Sequence, residues 1–412
     1  MTRTLYISII FLFSISFLSC DDQGSLKKEQ NQVFIKLYGG IKSEQGLGFV
    51  LLPDGGFVLV GSTSSVSSGQ DDVDVYVVRT DSAGNELWYL NFGRDGDDMA
   101  SAVVLGRSDN SIIVCGESEE SQSSFRDIFV AEVDLNGNLI NQNYFGETGR
   151  DEYGTDVIHS VGSGYLAVGN VKENSRDTSI YFIETDLSLA PISNGERDNI
   201  GYTGLENSIS QVLILNDSNY LAIGTTSNGL PLNEGSRNIF LFRSPYLNNA
   251  IIPDGFFYGN SDDQYGTSIA ETGGGYILAG YSDLNSTSVP YIININRNFN
   301  TIWEKNDYNF EGRNEPQSII QSSDGGFVFT SISNKPNLGS ELGLVKLGVS
   351  GEDIIWERNI GSEGNDFGKQ VIQLDNNFFV AIGSFDFDIN NQNLSKMGLV
   401  RTNPLGELIP LE

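Results

Sequence analysis

The chain has 412 residues, 39% of them hydrophobic and 11% aromatic, enough apolar side chain to build packed cores and too much for a disordered polymer. Its 54 acidic against 24 basic residues leave a net charge of −30, which repels nucleic acid and anionic lipid surfaces and favours cations or basic partners. Two isolated cysteines (Cys20, Cys115) and a single histidine (His159) exclude a disulfide framework and argue against a zinc site or a nucleophile–histidine triad.

In chain order, the first segment is a leader over residues 1–19. One early positive charge, Arg3, precedes an apolar stretch from Leu5 to Leu18, shorter than the roughly 20 residues needed to span a bilayer. FLSC at 17–20 resembles the lipobox of bacterial lipoproteins, although Phe17 departs from the usual aliphatic residue there. That resemblance implies cleavage before Cys20 and acylation of its thiol, and two acyl chains give stable membrane anchoring. An ordinary cleaved signal or an uncleaved anchor is the alternative. Asp21 and Asp22 follow directly, so an outer-membrane lipoprotein facing either the cell surface or the periplasm is expected. Residues 20–31 read as a polar, flexible tether.

From residue 32 onward the chain repeats itself with a period of roughly 50–58 residues. The clearest element is FVLVG at 57–61, IIVCG at 112–116, YLAVG at 165–169 and YLAIG at 220–224, then YILAG at 276–280, FVFTS at 327–331 and FVAIG at 379–383. Each run is rich in β-branched and aromatic residues and too short for a helix, so each predicts a strand. An apolar segment precedes each run across a tight turn, as in PDGG at 53–56, TGGG at 272–275 and SDGG at 323–326. A long polar connection follows, then a third strand (VYVVR at 75–79, IFVAE at 128–132, IYFIE at 180–184), a short turn and a fourth strand such as LWYLNF at 87–92. The last unit lacks its fourth strand, ending in GELIPLE at 406–412. The missing piece stands at the other end, where FIKLYG at 34–39 matches WYLNFG at 88–93 and WERNIG at 356–361.

Seven four-stranded units with this seam predict an all-β, seven-bladed β-propeller over residues 32–412, its antiparallel blades closed by the N-terminal strand completing the last blade. The segment RTDSAGNELW at 79–88 resembles the D-x-x-G-x-x-x-W end of quinoprotein-type propeller repeats, and the whole unit is similar to repeats of uncharacterised secreted and lipoprotein β-propellers of bacteria. Only Trp88, Trp303 and Trp356 keep the tryptophan, so a bound quinone is not expected.

Two sets of connections share one end of such a ring. The blade-to-blade connections carry acids at nearly one register: Glu44, Asp97, Asp98, Asp151, Glu152, Glu206, Asp262, Asp263, Glu315 and Asp366. A ring of carboxylates predicts either a cation site, Ca²⁺ by its taste for oxygen ligands, or turns in which acids bond backbone N–H groups. The second-to-third-strand connections, over 62–74, 117–127, 225–238 and 385–396, are long, polar and dissimilar, as binding loops on a rigid scaffold are. His159 falls in an innermost strand and Cys115 in an apolar run, where both read as structural. The expected function is a membrane-anchored binding or scaffold module for a protein, peptide or glycan. A carbohydrate-active enzyme using paired carboxylates is the alternative.

Overall fold

The computed structural model describes residues 32–65, 72–120, 125–172, 178–200, 206–215, 219–227, 237–245, 254–284, 287–334, 339–387 and 394–409. The leader, Cys20 and the whole tether over 20–31 lie outside the described residues, as do the central parts of the long connections. Among the described residues 28 strands form seven four-stranded antiparallel sheets, with no helix. The innermost strands of blades one to seven are Glu44–Leu51, Asp98–Leu105, Asp151–His159, Asn207–Ile214, Asp263–Glu271, Arg313–Gln321 and Phe367–Gln373.

The ring closes as the sequence predicts. Phe34–Tyr38 pairs antiparallel with Ser395–Thr402, from Phe34 opposite Arg401 to Tyr38 opposite Met397. It is the outermost strand of blade seven, although it opens the chain.

Packing explains why the second strand of each unit is the clearest signal. Phe57–Thr63 is buried along its whole length, because both of its faces meet neighbouring blades. The fourth strand, Glu86–Phe92, lies at the rim and is mostly half-exposed. The apolar side chains gather into seven clusters, one between each consecutive pair of blades. The cluster of Phe49, Phe57 and Leu59 with Val380, Ile382 and Leu399 joins blade one to blade seven.

Each innermost strand carries one bulge at the same place, which adds a residue to that strand: Leu47, Ser101, Thr155, Ser210, Thr267, Gln317 and Lys369. The residue before it faces the small residue that ends the repeat motif, as Gly46 faces Gly61 and Gly368 faces Gly383. A Cβ on Gly61 would lie 1.8 Å from the carbonyl oxygen of Gln45. The glycine of the motif is therefore required by close backbone approach at the bulge.

A second device joins blades at the opposite end. In the D-x-x-G turn, Asp81 accepts hydrogen bonds from the N–H groups of Ala83 (2.9 Å) and Asn85 (2.8 Å), and Gly84 takes a positive φ of 74°. The rim aromatic of the preceding blade lies on that glycine: Phe34 on Gly84, Trp88 on Gly137, Trp303 on Gly351 and Trp356 on Gly406. Trp88 also donates its indole N–H to the Leu135 carbonyl at 3.0 Å. The motif glycine and tryptophan thus meet across a blade junction.

Candidate functional site

Strand alternation puts the blade-to-blade connections and the second-to-third-strand connections at one end of the ring, as expected. The bulges supply a common numbering for the acids at that end. Three residues before each bulge stand Glu44, Asp98, Glu152, Asn207, Gln264, Asn314 and Asp366, every one of them at most 1% exposed. Four of these are acids named above, whereas blades four to six use amides. The acids predicted there, Glu206, Asp263 and Glu315, are neighbours of the amide positions. The carboxylate ring is therefore split into a fully buried set and a neighbouring set that is more exposed except at Glu315, which is also buried.

The buried set holds the chain of its own connection. Glu44 accepts from the Gly40 N–H at 3.0 Å and the Thr63 hydroxyl at 3.2 Å, and pairs with the Lys396 ammonium at 2.6 Å. Asp98 accepts from the Arg94 N–H at 2.7 Å, and Glu152 from the Glu147 N–H at 3.3 Å. Asp366 takes the Ser362 N–H, the Ser362 hydroxyl at 2.7 Å and the Asp386 N–H at 2.6 Å. Burial pushes the carboxyl pKa of Asp98 and of Glu152 up to about 7, although the same N–H groups pull the other way. Burial likewise raises that of Asp366.

The second set grips the preceding blade. Asp97 accepts from the Val73 N–H at 3.1 Å, Asp151 from the Arg126 N–H at 3.3 Å and Asp263 from the Arg237 N–H at 2.8 Å. Guanidinium groups neutralise several of these acids. Arg237 pairs with Glu206 at 2.7 Å and Asp263 at 3.3 Å, and Arg313 with Glu315 at 2.5 Å. Arg126 bridges Glu117 and Glu119, while Arg94 pairs with Asp127 at 2.8 Å. Asp262 stays half-buried, its own N–H bonded to the Asn260 side chain at 2.8 Å. Among the described residues no three His, Cys, Asp or Glu side chains gather closely enough to hold a metal ion.

The same arginines lie over aromatic rings: Arg94 over Tyr144 at 4.3 Å, Arg126 over Tyr153 at 6.0 Å and Arg237 over Tyr265 at 5.7 Å. Tyr265 stacks on Tyr281 with centroids 4.7 Å apart. Of these half-buried tyrosines, Tyr153 and Tyr265 follow the acids by one or two positions, whereas Tyr144 lies in a fourth strand and Tyr281 in a second one.

Nearer the axis runs a chain of contacts that the sequence did not reveal. In five of the seven blades the residue after the bulge reaches the next blade's backbone. Asp156 accepts from the Val212 N–H at 3.0 Å, Gln211 from Ile269 at 2.8 Å, Ser268 from Ile319 at 3.1 Å, Ser318 from Val371 at 3.4 Å and Gln370 from Phe49 at 2.8 Å. Gly48 and Ala102 fill this position in blades one and two. Burial pushes the Asp156 carboxyl up to about 7.

His159 and Cys115 are both absorbed by packing. The imidazole Nε2 lies 2.7 Å from the Leu105 carbonyl oxygen and the ring rests against Tyr165, with centroids 5.9 Å apart. Cys115 is fully buried, which pushes its thiol well above the ordinary range.

These features define a closed seven-bladed β-propeller. No protein-family model matches the chain, and no curated protein matches it in sequence. Solved structures share the fold. Sqt1 of Chaetomium thermophilum is 11% identical with a TM-score of 0.50, over 90% of this chain and 97% of that one. Drosophila Plexin A, solved in complex with Semaphorin 1b, is 9% identical with a TM-score of 0.50, over 90% and 87% of the two chains. YCF48 from Cyanidioschyzon merolae is 11% identical with a TM-score of 0.49, over 90% and 99%. At such identities the likeness is one of fold.

Proposed function

We propose that this protein is a binding propeller of the cell envelope, anchored through a lipidated Cys20 and offering its long-connection end to a protein, peptide or glycan. One observation carries the reading. At that end, most of the predicted acids hold backbone N–H groups or arginines of the ring itself, so the junctions are rigid and the dissimilar connections between second and third strands are left to make contacts. The arginine–tyrosine pairs beside those connections suit a ligand with both a polar edge and an apolar face, as a sugar ring or a peptide has.

A thermal-shift panel of glycans, envelope peptides and Ca²⁺ tests this, since a ligand selective for the native state raises the melting temperature. Replacing the connection over 228–236 with a short Gly-Ser turn is expected to remove the response and leave the unliganded Tm in place. Turnover of a glycoside by the purified protein, lost on one Asp or Glu substitution at this end, overturns the reading in favour of an enzyme. The anchor is tested separately: Cys20→Ala is expected to move the protein from the membrane fraction to the soluble one.

A further inference from the structure

We propose that the axis of the propeller is a binding site for a small oxyanion, a phosphate or a carboxylate, held by the ammonium of Lys369. The bulge sets Lys369 on the innermost strand of blade seven, beside Gln370, whose amide is committed to the Phe49 N–H of blade one at 2.8 Å. The equivalent residues of the other blades are Leu47, Ser101, Thr155, Ser210, Thr267 and Gln317, none of them charged and all half-buried like Lys369. Three of their hydroxyls are turned to carbonyl oxygens of the ring: Ser210 to Gly266 at 2.8 Å, Thr267 to Ala279 at 3.1 Å and Thr155 to Val168 at 3.3 Å. The ammonium of Lys369 has neither hydrogen bond nor ion pair among the described residues. Among the described residues it is the one cation at the seven bulge positions.

Half-burial on the innermost strand takes part of its water from this ammonium with no counter-ion in return, and that desolvation pulls the Lys369 pKa below the ordinary lysine value. In a chain of net charge −30, carboxylates were plentiful enough to pair it, as Glu44 pairs Lys396 at 2.6 Å. None does. The missing partner is a negative charge supplied from outside, and three free N–H donors on a flexible stem suit an oxyanion oxygen. The site lies on the axis, distinct from the long connections proposed above for the main ligand, so each idea stands or fails without the other.

The test is melting of the wild-type protein, Lys369→Gln and Lys369→Arg in phosphate, in galacturonate and in chloride at matched ionic strength. Phosphate or galacturonate is expected to raise the wild-type Tm by several degrees over chloride, with Lys369→Arg retaining the shift and Lys369→Gln losing it. A response to only one anion assigns the site to that chemistry. In chloride, Lys369→Gln is expected to melt at or above the wild type, because it removes an unpaired, half-buried charge. Equal shifts in wild type and Lys369→Gln, no shift with either anion, or a lower Tm for Lys369→Gln in chloride overturns the proposal.

Discussion

At the scale of single residues, the buried carboxyls of Asp98 and Glu152 are held in their acid-favouring state by the fold itself. Each has a folded pKa of about 7, against roughly 4 in an unfolded chain. A raised acid pKa means the folded state binds the proton more tightly. Its contribution is full below the unfolded value and is lost as the pH rises through about 7. Asn207, Gln264 and Asn314 show that a neutral amide fits the same position in three other blades. Asp98→Asn and Glu152→Gln are therefore expected to gain about 1–2 kcal/mol each at pH 8 and little at pH 5. Urea unfolding at the two pH values checks this, and a loss at pH 8 would show that the carboxylate is needed ionised.

At the scale of the element, the aromatic resting on a turn glycine is the unit that ties one rim strand to the next blade. Gly137 has a φ of 87°, and a Cβ there would lie 3.1 Å from the Trp88 indole. Gly137→Ala meets both a strained backbone and a crowded ring, at a cost of about 1–2 kcal/mol. Trp88→Ala removes the half-buried cap together with its hydrogen bond, for about 2–3 kcal/mol. Because both act on one contact, the double variant is expected to lose less than the sum, which a double-mutant cycle measures. The motif was legible as sequence, in its D-x-x-G-x-x-x-W spacing, but its meaning was not: the tryptophan covers the glycine of the following copy, not of its own. The same limit governed the acids. Their register could be read, whereas the N–H groups that they hold, such as Val73 for Asp97, come from the preceding blade, here from just before its strand Asp74–Thr80. The strands themselves were legible because two-sided burial leaves unbroken apolar runs like FVLVG at 57–61. Lys369 was hidden because nothing in a sequence marks where an innermost strand bulges.

At the scale of the whole molecule, the charge and the closure of the ring set stability together. Asp98, Glu152 and Asp156 all sit near pKa 7 through burial. Asp324 is the counter-case: despite some burial, hydrogen bonds from Ser322 and Lys346 hold it down to about 2. Its contribution is present above about pH 4 and lost only as the pH falls through 2. Between these windows the raised group dominates and the net charge of −30 shrinks, so the Tm is expected to rise from pH 8 to pH 5. Melting curves at constant ionic strength decide it, and a flat or inverted profile would refute the buried-acid account. Closure is the larger lever. Phe34–Tyr38 is one strand of 28, yet it seals blade seven and also carries three ties to blade one. Phe34 rests on Gly84, the Tyr38 hydroxyl donates to the Gly84 carbonyl at 2.7 Å, and Lys36 donates to Asn85 at 3.0 Å. Deleting residues 32–38 strips these ties and exposes the edge of Ser395–Thr402, a template for pairing with another chain. The truncated protein is expected to melt more than 10 °C lower, by an order-of-magnitude reckoning of one lost strand, and to associate through that edge. A synthetic peptide of residues 32–43 is expected to restore both the Tm and the monomer seen by light scattering. If the truncated chain stays monomeric with an unchanged Tm, the seam contributes nothing to the ring, and the apolar clusters between blades suffice to keep it closed.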